Sequence, residues 1–129
     1  MLDSNVEKVD NLNIHDAKVT HVEDGDTFNC KVKVGFGLET EIVVRLPKVD
    51  THETKTKKGK REKEFAKRWI NKAKEESCKE YKFEVVTKED YPKGGYGRYL
   101  CKLRRKTDNQ YISEALFNKF NDIKYGDDS

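Results

Sequence analysis

The sequence predicts an α+β domain, mainly β, in which five strands form a small barrel that carries one long helix. Segments with alternating apolar and polar residues are typical of half-buried strands. Three such segments precede a long amphipathic stretch and two follow it, with turn residues between neighbouring strands. A short C-terminal helix completes the expected elements. Five strands interrupted by a helix after the third indicate a Greek-key barrel of the OB type.

The first three strands are expected to form an antiparallel meander. The first ends in a turn at Asp24-Gly25-Asp26, where glycine would supply a positive φ. Residues Phe28–Val34 then alternate with a period of two. The third strand is expected at Glu41–Leu46. Pro47 ends it, because proline has no amide hydrogen to donate to a neighbouring strand.

A change of period marks the long helix, which is expected over residues 60–76 after a polar loop at 48–60. Its apolar residues form one stripe, with Glu and Lys on the other face. The stripe consists of Phe65, Ala66, Trp69, Ile70 and Ala73. Two more strands are expected at Tyr81–Thr87 and Tyr99–Arg104, separated by a turn at 92–95.

We expect a single domain, because 129 residues suffice for one hydrophobic core and no linker divides the chain. Residues 1–13 form a polar lead-in, 14–125 the domain and 126–129 a polar tail. The last helix carries Ala115, Leu116 and Phe120. Its N-cap is expected at Ser113 or Asn109.

Composition excludes some classes of protein and leaves others open. The three cysteines show no CxxC spacing, which argues against a zinc site or a disulfide framework and favours a reducing compartment. No apolar run is long enough to span a membrane, and the N-terminus is unlike a signal peptide. We therefore expect a cytoplasmic chain, or a secreted one if a leader was removed, and most simply a monomer.

The net charge of +3 is too balanced to indicate a nucleic-acid partner by itself. Basic residues do crowd one stretch directly after the acidic segment that ends at Thr54, where they could attract a polyanion or form an ordinary solvated loop. They are Lys55, Lys57, Lys58, Lys60 and Arg61.

Two aspartates are candidate metal ligands. Asp26 and Asp50 each follow a strand that a barrel would place beside the other, so their carboxylates could converge at one rim. Oxygen ligands suit Ca²⁺ or Mg²⁺, and the carbonyl of Thr51 could join them. Asp24 is expected only to build the turn. Either ligand alone would be assigned to a turn as well, but the pair favours a cation site.

Three further side chains extend this site toward phosphate chemistry. Glu53 could accept a proton from a water molecule, although a lone surface Glu is ordinarily just solvated. Arg45 and Arg98 can each donate two parallel hydrogen bonds to phosphate oxygens. The set therefore predicts metal-assisted hydrolysis of a phosphodiester, with Arg45, Glu53 and Arg98 as the catalytic residues.

Aromatic and histidine residues near these motifs are less specific. Tyr96 could stack on a base or bind a terminal phosphate, and it could equally pack on the barrel rim. His52 is expected to point away from its neighbours Thr51 and Glu53. Trp69 belongs to the apolar helical stripe and is expected in the core.

These motifs resemble those of the thermonuclease, or staphylococcal nuclease-like, family, in the same order and over residues 14–125. The resemblance rests on Val22-Glu23-Asp24-Gly25-Asp26-Thr27, Arg45-Leu46-x-x-Val49-Asp50-Thr51-x-Glu53-Thr54, Tyr96-Gly97-Arg98 and Ser113-Glu114-Ala115-Leu116. It implies an OB-fold barrel that cleaves DNA and RNA with Ca²⁺ as cofactor. Water would attack phosphorus and the 5′ P–O bond would break, leaving 3′-phosphate ends.

The resemblance also assigns roles by position. Asp26 and Asp50 would bind Ca²⁺ through carboxylates and Thr51 through its carbonyl. Arg45 and Arg98 would hold the scissile phosphate. Glu53 would act as general base, and Tyr96 would contact the nucleotide.

Three features depart from the family pattern. His52 replaces the proline usual between Thr and Glu, and Gly95 stands where a basic residue often precedes the tyrosine. The sequence given stops where the family's final long helix would begin.

The alternative to a nuclease is a non-catalytic OB-fold module that binds nucleic acid. Such a module would not need both aspartates, Glu53 and both arginines together.

Overall fold

The computed structural model describes residues 12–88 and 98–123 of the chain. They form an α+β structure, mainly sheet, with six strands and two helices. In chain order these elements are β1 (Leu12–Asp24), β2 (Thr27–Gly35), β3 (Leu38–Arg45), α1 (Lys57–Glu76), β4 (Phe83–Lys88), β5 (Arg98–Leu100), β6 (Lys102–Arg105) and α2 (Ile112–Lys119). Within the described ranges, neither helix is long and apolar enough to cross a membrane.

One sheet contains all six strands, in the order β5-β3-β2-β1-β4-β6. The expected antiparallel meander of the first three strands is confirmed. β4 pairs antiparallel with β1 and with β6, whereas β5 runs parallel to β3. The two strands at opposite ends of this order, β5 and β6, follow each other along the chain with only Cys101 between them.

The core lies between one face of the sheet and the two helices. Phe28, Cys30 and Val32 are buried on β2, as their alternation predicts, but Val34 is exposed near the β2–β3 hairpin. On α1 the predicted stripe is confirmed. Ala66, Trp69, Ile70 and Ala73 are buried, and Phe65 packs against them from a partly buried position.

Element boundaries differ from prediction where side chains cap the helices. α1 begins at Lys57, inside the predicted loop, because the Thr56 hydroxyl accepts a hydrogen bond from the Gly59 amide at 3.0 Å. The N-cap of α2 is Tyr111, not Ser113 or Asn109. There the Glu114 carboxylate accepts the Tyr111 amide at 3.3 Å.

Strand boundaries also differ. β1 begins at Leu12, within the predicted lead-in, because its first residues pair with β4. The single strand predicted at Tyr99–Arg104 is divided at Cys101, so six strands are seen rather than five. Most of the predicted lead-in, the turn at 92–95 and the tail at 126–129 lie outside the described residues.

Candidate functional site

The two candidate metal ligands lie at the same edge of the sheet. Asp26 occupies the turn between β1 and β2, with only 5% of its surface exposed. Its Oδ1 accepts the Thr27 hydroxyl at 2.8 Å, and its Oδ2 accepts the Thr51 amide at 3.0 Å. Asp50 has a 65% exposed side chain, and its amide donates to the Ile123 carbonyl at 2.8 Å. The Thr51 contact therefore ties the segment after β3 to the turn after β1.

Arg45, at the end of β3, joins the two carboxylates. Its Nη1 lies 2.9 Å from Asp26 Oδ2, and its Nη2 lies 3.5 Å from Asp50 Oδ1. Nη1 also donates to the Val49 carbonyl at 2.6 Å. The structure thus brings together four of the predicted site residues, namely Asp26, Arg45, Asp50 and Thr51.

Three carboxyl groups lie in this part of the structure, those of Asp24, Asp26 and Asp50. Burial, and then the negative charge of Asp26, raise the pKa of the Asp24 carboxyl above its usual value. The positive charges of Lys63 and Arg45 act in the opposite direction on this carboxyl. The donor set of Asp26 and Asp50 consists of carboxylate oxygens, which are the ligands that hard divalent cations prefer.

Arg98 lies on the same face of the sheet as Arg45. In the parallel pair of β3 and β5, Arg98 is opposite Val43 and Leu100 is opposite Arg45. Paired residues, and residues two apart in a strand, place their side chains on one face. The two arginines are therefore diagonal neighbours, a separation that long side chains can span.

Glu53 is not joined to this group by any described contact. The Glu53 side chain is 73% exposed, and its Oε1 lies 3.3 Å from Lys55 Nζ. Its backbone carbonyl, in contrast, is held by the N-terminus of α1, where Thr56 N and Thr56 Oγ1 donate at 3.0 and 2.7 Å. Tyr96 lies outside the described residues.

Glycine acts in this region by its small size. The expected positive φ at Gly25 is wrong, because the described glycines with positive φ are Gly35 and Gly37. A Cβ on Gly25 would instead lie 2.9 Å from Thr51 Cγ2 and 3.2 Å from Glu62 Cβ. The absent side chain therefore lets the turn, the segment after β3 and α1 meet closely.

Glu62 is the residue near the site that the sequence interpretation missed. It was assigned with the other Glu and Lys residues to the solvent face of α1, but it is 1% exposed. Its Oε1 accepts the His52 amide at 2.7 Å, and its Oε2 lies 2.8 Å from His52 Nδ1. The signal was its spacing, since Glu62 precedes Ala66 and Trp69 by four and seven residues and so shares their apolar face.

A second group that could hold a metal ion surrounds His52. Ligand atoms of His52, Glu62 and Asp122 lie within 4.8 Å of one another. This group is distinct from the predicted Asp26, Asp50 and Thr51 set, and its imidazole nitrogen is not a ligand type that favours Ca²⁺.

In comparisons with known proteins, no protein-family model and no curated protein matches this chain.

Proposed function

We propose that the protein is a Ca²⁺-dependent phosphodiesterase of the staphylococcal nuclease-like type, which hydrolyses DNA and RNA. The observation that carries this proposal is the single cluster formed by Asp26, Arg45 and Asp50. Two carboxylates and a guanidinium group converge there at one edge of the sheet. This arrangement is what attack of water on a metal-bound phosphodiester needs.

The strand pairing supports a closed OB barrel as the scaffold. β5 pairs with β3 and β6 pairs with β4, yet only Cys101 separates β5 from β6. One bent segment therefore bridges the two ends of the strand order, which is how a five-stranded Greek-key barrel closes. On this interpretation β5 and β6 are two halves of the fifth barrel strand.

Arg45 has an edge that can bind phosphate while it keeps its place. Nη1 is engaged with Asp26 and the Val49 carbonyl, whereas Nη2 makes the longer of the two Arg45 ion-pair contacts, at 3.5 Å from Asp50. The Nη2 and Nε groups can therefore donate two parallel hydrogen bonds to two phosphate oxygens. Arg98, on the same face, would bind the same phosphate from the neighbouring strand.

The residues would divide the reaction as follows. Asp26 and Asp50, with the Thr51 carbonyl, would hold Ca²⁺, whose bound charge lowers the cost of negative charge on the phosphate oxygens. Glu53 would take the proton from the attacking water, whose oxygen bonds to phosphorus as the P–O5′ bond breaks, and the departing O5′ oxygen would take up a proton from solvent water. The arginines favour the transition state because their charges are fixed where negative charge develops. Tyr96 would contact the nucleotide.

A non-catalytic nucleic-acid-binding module is the second candidate, and the position of Glu53 favours it. The Glu53 side chain is exposed and ion-paired with Lys55, and no described contact joins it to Asp26 or Asp50. A binding module requires the arginines and basic residues but no proton acceptor at this place.

The proposal is tested by the cleavage of labelled single-stranded DNA and RNA. The wild type is assayed with Ca²⁺ and with EDTA, and Asp50→Asn is assayed with Ca²⁺. We expect cleavage by the wild type with Ca²⁺, none with EDTA, and a loss of at least about 10²-fold in Asp50→Asn. Glu41→Gln, an exposed carboxylate change on β3, should cleave as the wild type does. Binding of DNA without cleavage under any of these conditions would favour the second candidate. Cleavage that persists in EDTA would contradict the metal role.

A further inference from the structure

Hydrogen bonds fix both ends of Asp50–Glu53, a segment that we call the site loop. At one end the Asp50 amide donates to the Ile123 carbonyl at 2.8 Å. At the other, the Glu53 carbonyl accepts the Thr56 amide at 3.0 Å and the Thr56 hydroxyl at 2.7 Å. The loop carries one proposed metal carboxylate and the proposed general base, so its backbone sets how these groups face the substrate.

The middle of the site loop is held by one buried carboxylate. Glu62 uses both oxygens on His52, with Oε1 2.7 Å from the backbone N and Oε2 2.8 Å from Nδ1. The Oε2 contact is a hydrogen bond donated by Nδ1 when the imidazole hydrogen lies on that nitrogen. Burying a carboxylate is costly unless it is paired. Glu62 is 1% exposed, and both hydrogen-bond contacts described for its carboxylate are with His52. We call this two-bond contact the His52–Glu62 clamp.

The C-terminal segment closes the other side of the His52 ring. Asp122 Oδ2 lies 3.8 Å from His52 Nε2 and 3.0 Å from Lys58 Nζ. Asp122 directly precedes Ile123, whose carbonyl receives the Asp50 amide. The site loop is thus fixed between α1 and the segment after α2.

We propose that Glu62 is a positioning residue, which holds the site loop through the His52–Glu62 clamp so that Glu53 can accept the proton. The inference rests on the proposed nuclease function. The Glu53 side chain is exposed, so its position depends on where its backbone lies. That backbone directly follows His52, which the His52–Glu62 clamp holds. A displacement of about 1 Å at a reacting group can lower a rate by about 10²-fold. Loss of the clamp should therefore lower kcat more than it changes KM.

His52→Ala and Glu62→Gln test the clamp, with His52→Asn as the conservative rescue. The first two should lower kcat by about 10- to 100-fold and leave KM within about threefold. The side-chain amide of asparagine can replace Nδ1 as a donor to Glu62, so His52→Asn should recover most of the loss. Two matched controls, Glu64→Gln on the exposed face of α1 and His21→Ala on β1, should behave as the wild type does.

Amide hydrogen exchange tests the contact without any cleavage. The His52 amide should exchange at least about 10-fold faster in Glu62→Ala than in the wild type, because the variant lacks the carboxylate that accepts this amide. If the His52 amide exchanges slowly in the wild type but the protein cleaves no nucleic acid, the nuclease function is contradicted and the His52–Glu62 contact is not. If the protein cleaves and His52→Ala matches the wild type in kcat, or His52→Asn is no better than His52→Ala, the positioning role is wrong. His52 is partly exposed, so this pair remains testable if Glu62 variants fold poorly.

Discussion

At the scale of single residues, Arg45 combines a structural and a proposed catalytic role. One edge of its guanidinium group binds Asp26 and a backbone carbonyl, so the side chain is held in one orientation. The other edge is then aimed without further ordering cost when a phosphate arrives. A lysine could keep the charge but could not make both sets of contacts at once.

The three thiols are expected to differ sharply in reactivity. Burial raises the pKa of Cys30 to about 12 and that of Cys101 to about 11, whereas Cys78 is exposed. A raised pKa keeps the buried thiols protonated at pH 8, and the thiolate is the reactive form. Ellman's reagent should therefore modify one thiol per chain rapidly in the native protein and all three after unfolding in guanidinium chloride.

Cys78→Ser is the control for this thiol assay, since it should abolish the rapid phase. Rapid modification of two or three native thiols would mean that the packing around Cys30 and Cys101 is not as described.

At the scale of elements, the site depends on how closely α1 approaches the site loop. Thr56 caps α1 and also binds the Glu53 carbonyl, so the helix start and the loop share one residue. A Cβ on Gly59 would lie 1.9 Å from the Glu53 carbonyl oxygen, a distance that no packing allows. Glycine at this position is therefore required by space, although it is unfavourable within a helix.

Gly59→Ala should reverse the usual effect of replacing a helical glycine. Alanine normally stabilises a helix interior by about 1 kcal/mol relative to glycine. Here the clash with the Glu53 backbone should instead lower the free energy of unfolding by about 1–3 kcal/mol. Urea unfolding measures this change, with the exposed neighbour Lys60→Ala as a control that should remain near the wild-type value. An unchanged or higher stability of Gly59→Ala would contradict the close approach.

At the scale of the whole molecule, the candidate site is assembled from distant segments of the chain. Hydrogen bonds join the turn at Asp26, the end of β3, the site loop and the segment after α2, and the acceptors include the Asp26 carboxylate as well as backbone carbonyls. Each segment alone is an ordinary polar turn. Their convergence follows from the strand pairing, which places the end of β3 beside the start of β2.

Sequence patterns predicted those parts of the molecule whose signals are local. The period of two in β2 and the apolar stripe of α1 located the core, and the acidic turns located Asp26 and Asp50. The start of α1 was missed because Thr56 caps it in a stretch rich in lysine. Glu62 was missed because its pairing with His52 spans ten residues and depends on where the site loop folds back.

In the proposed mechanism, Glu53 assists a Ca²⁺-dependent cleavage at the cluster of Asp26, Arg45 and Asp50. The most direct test is the single-turnover rate of DNA cleavage with saturating Ca²⁺ for the wild type and Glu53→Gln, which has nearly the same shape but cannot accept the proton. The rate should be lower by about 10²- to 10⁴-fold in the variant, with DNA binding retained. No cleavage by the wild type, or equal rates for the two proteins, would contradict it.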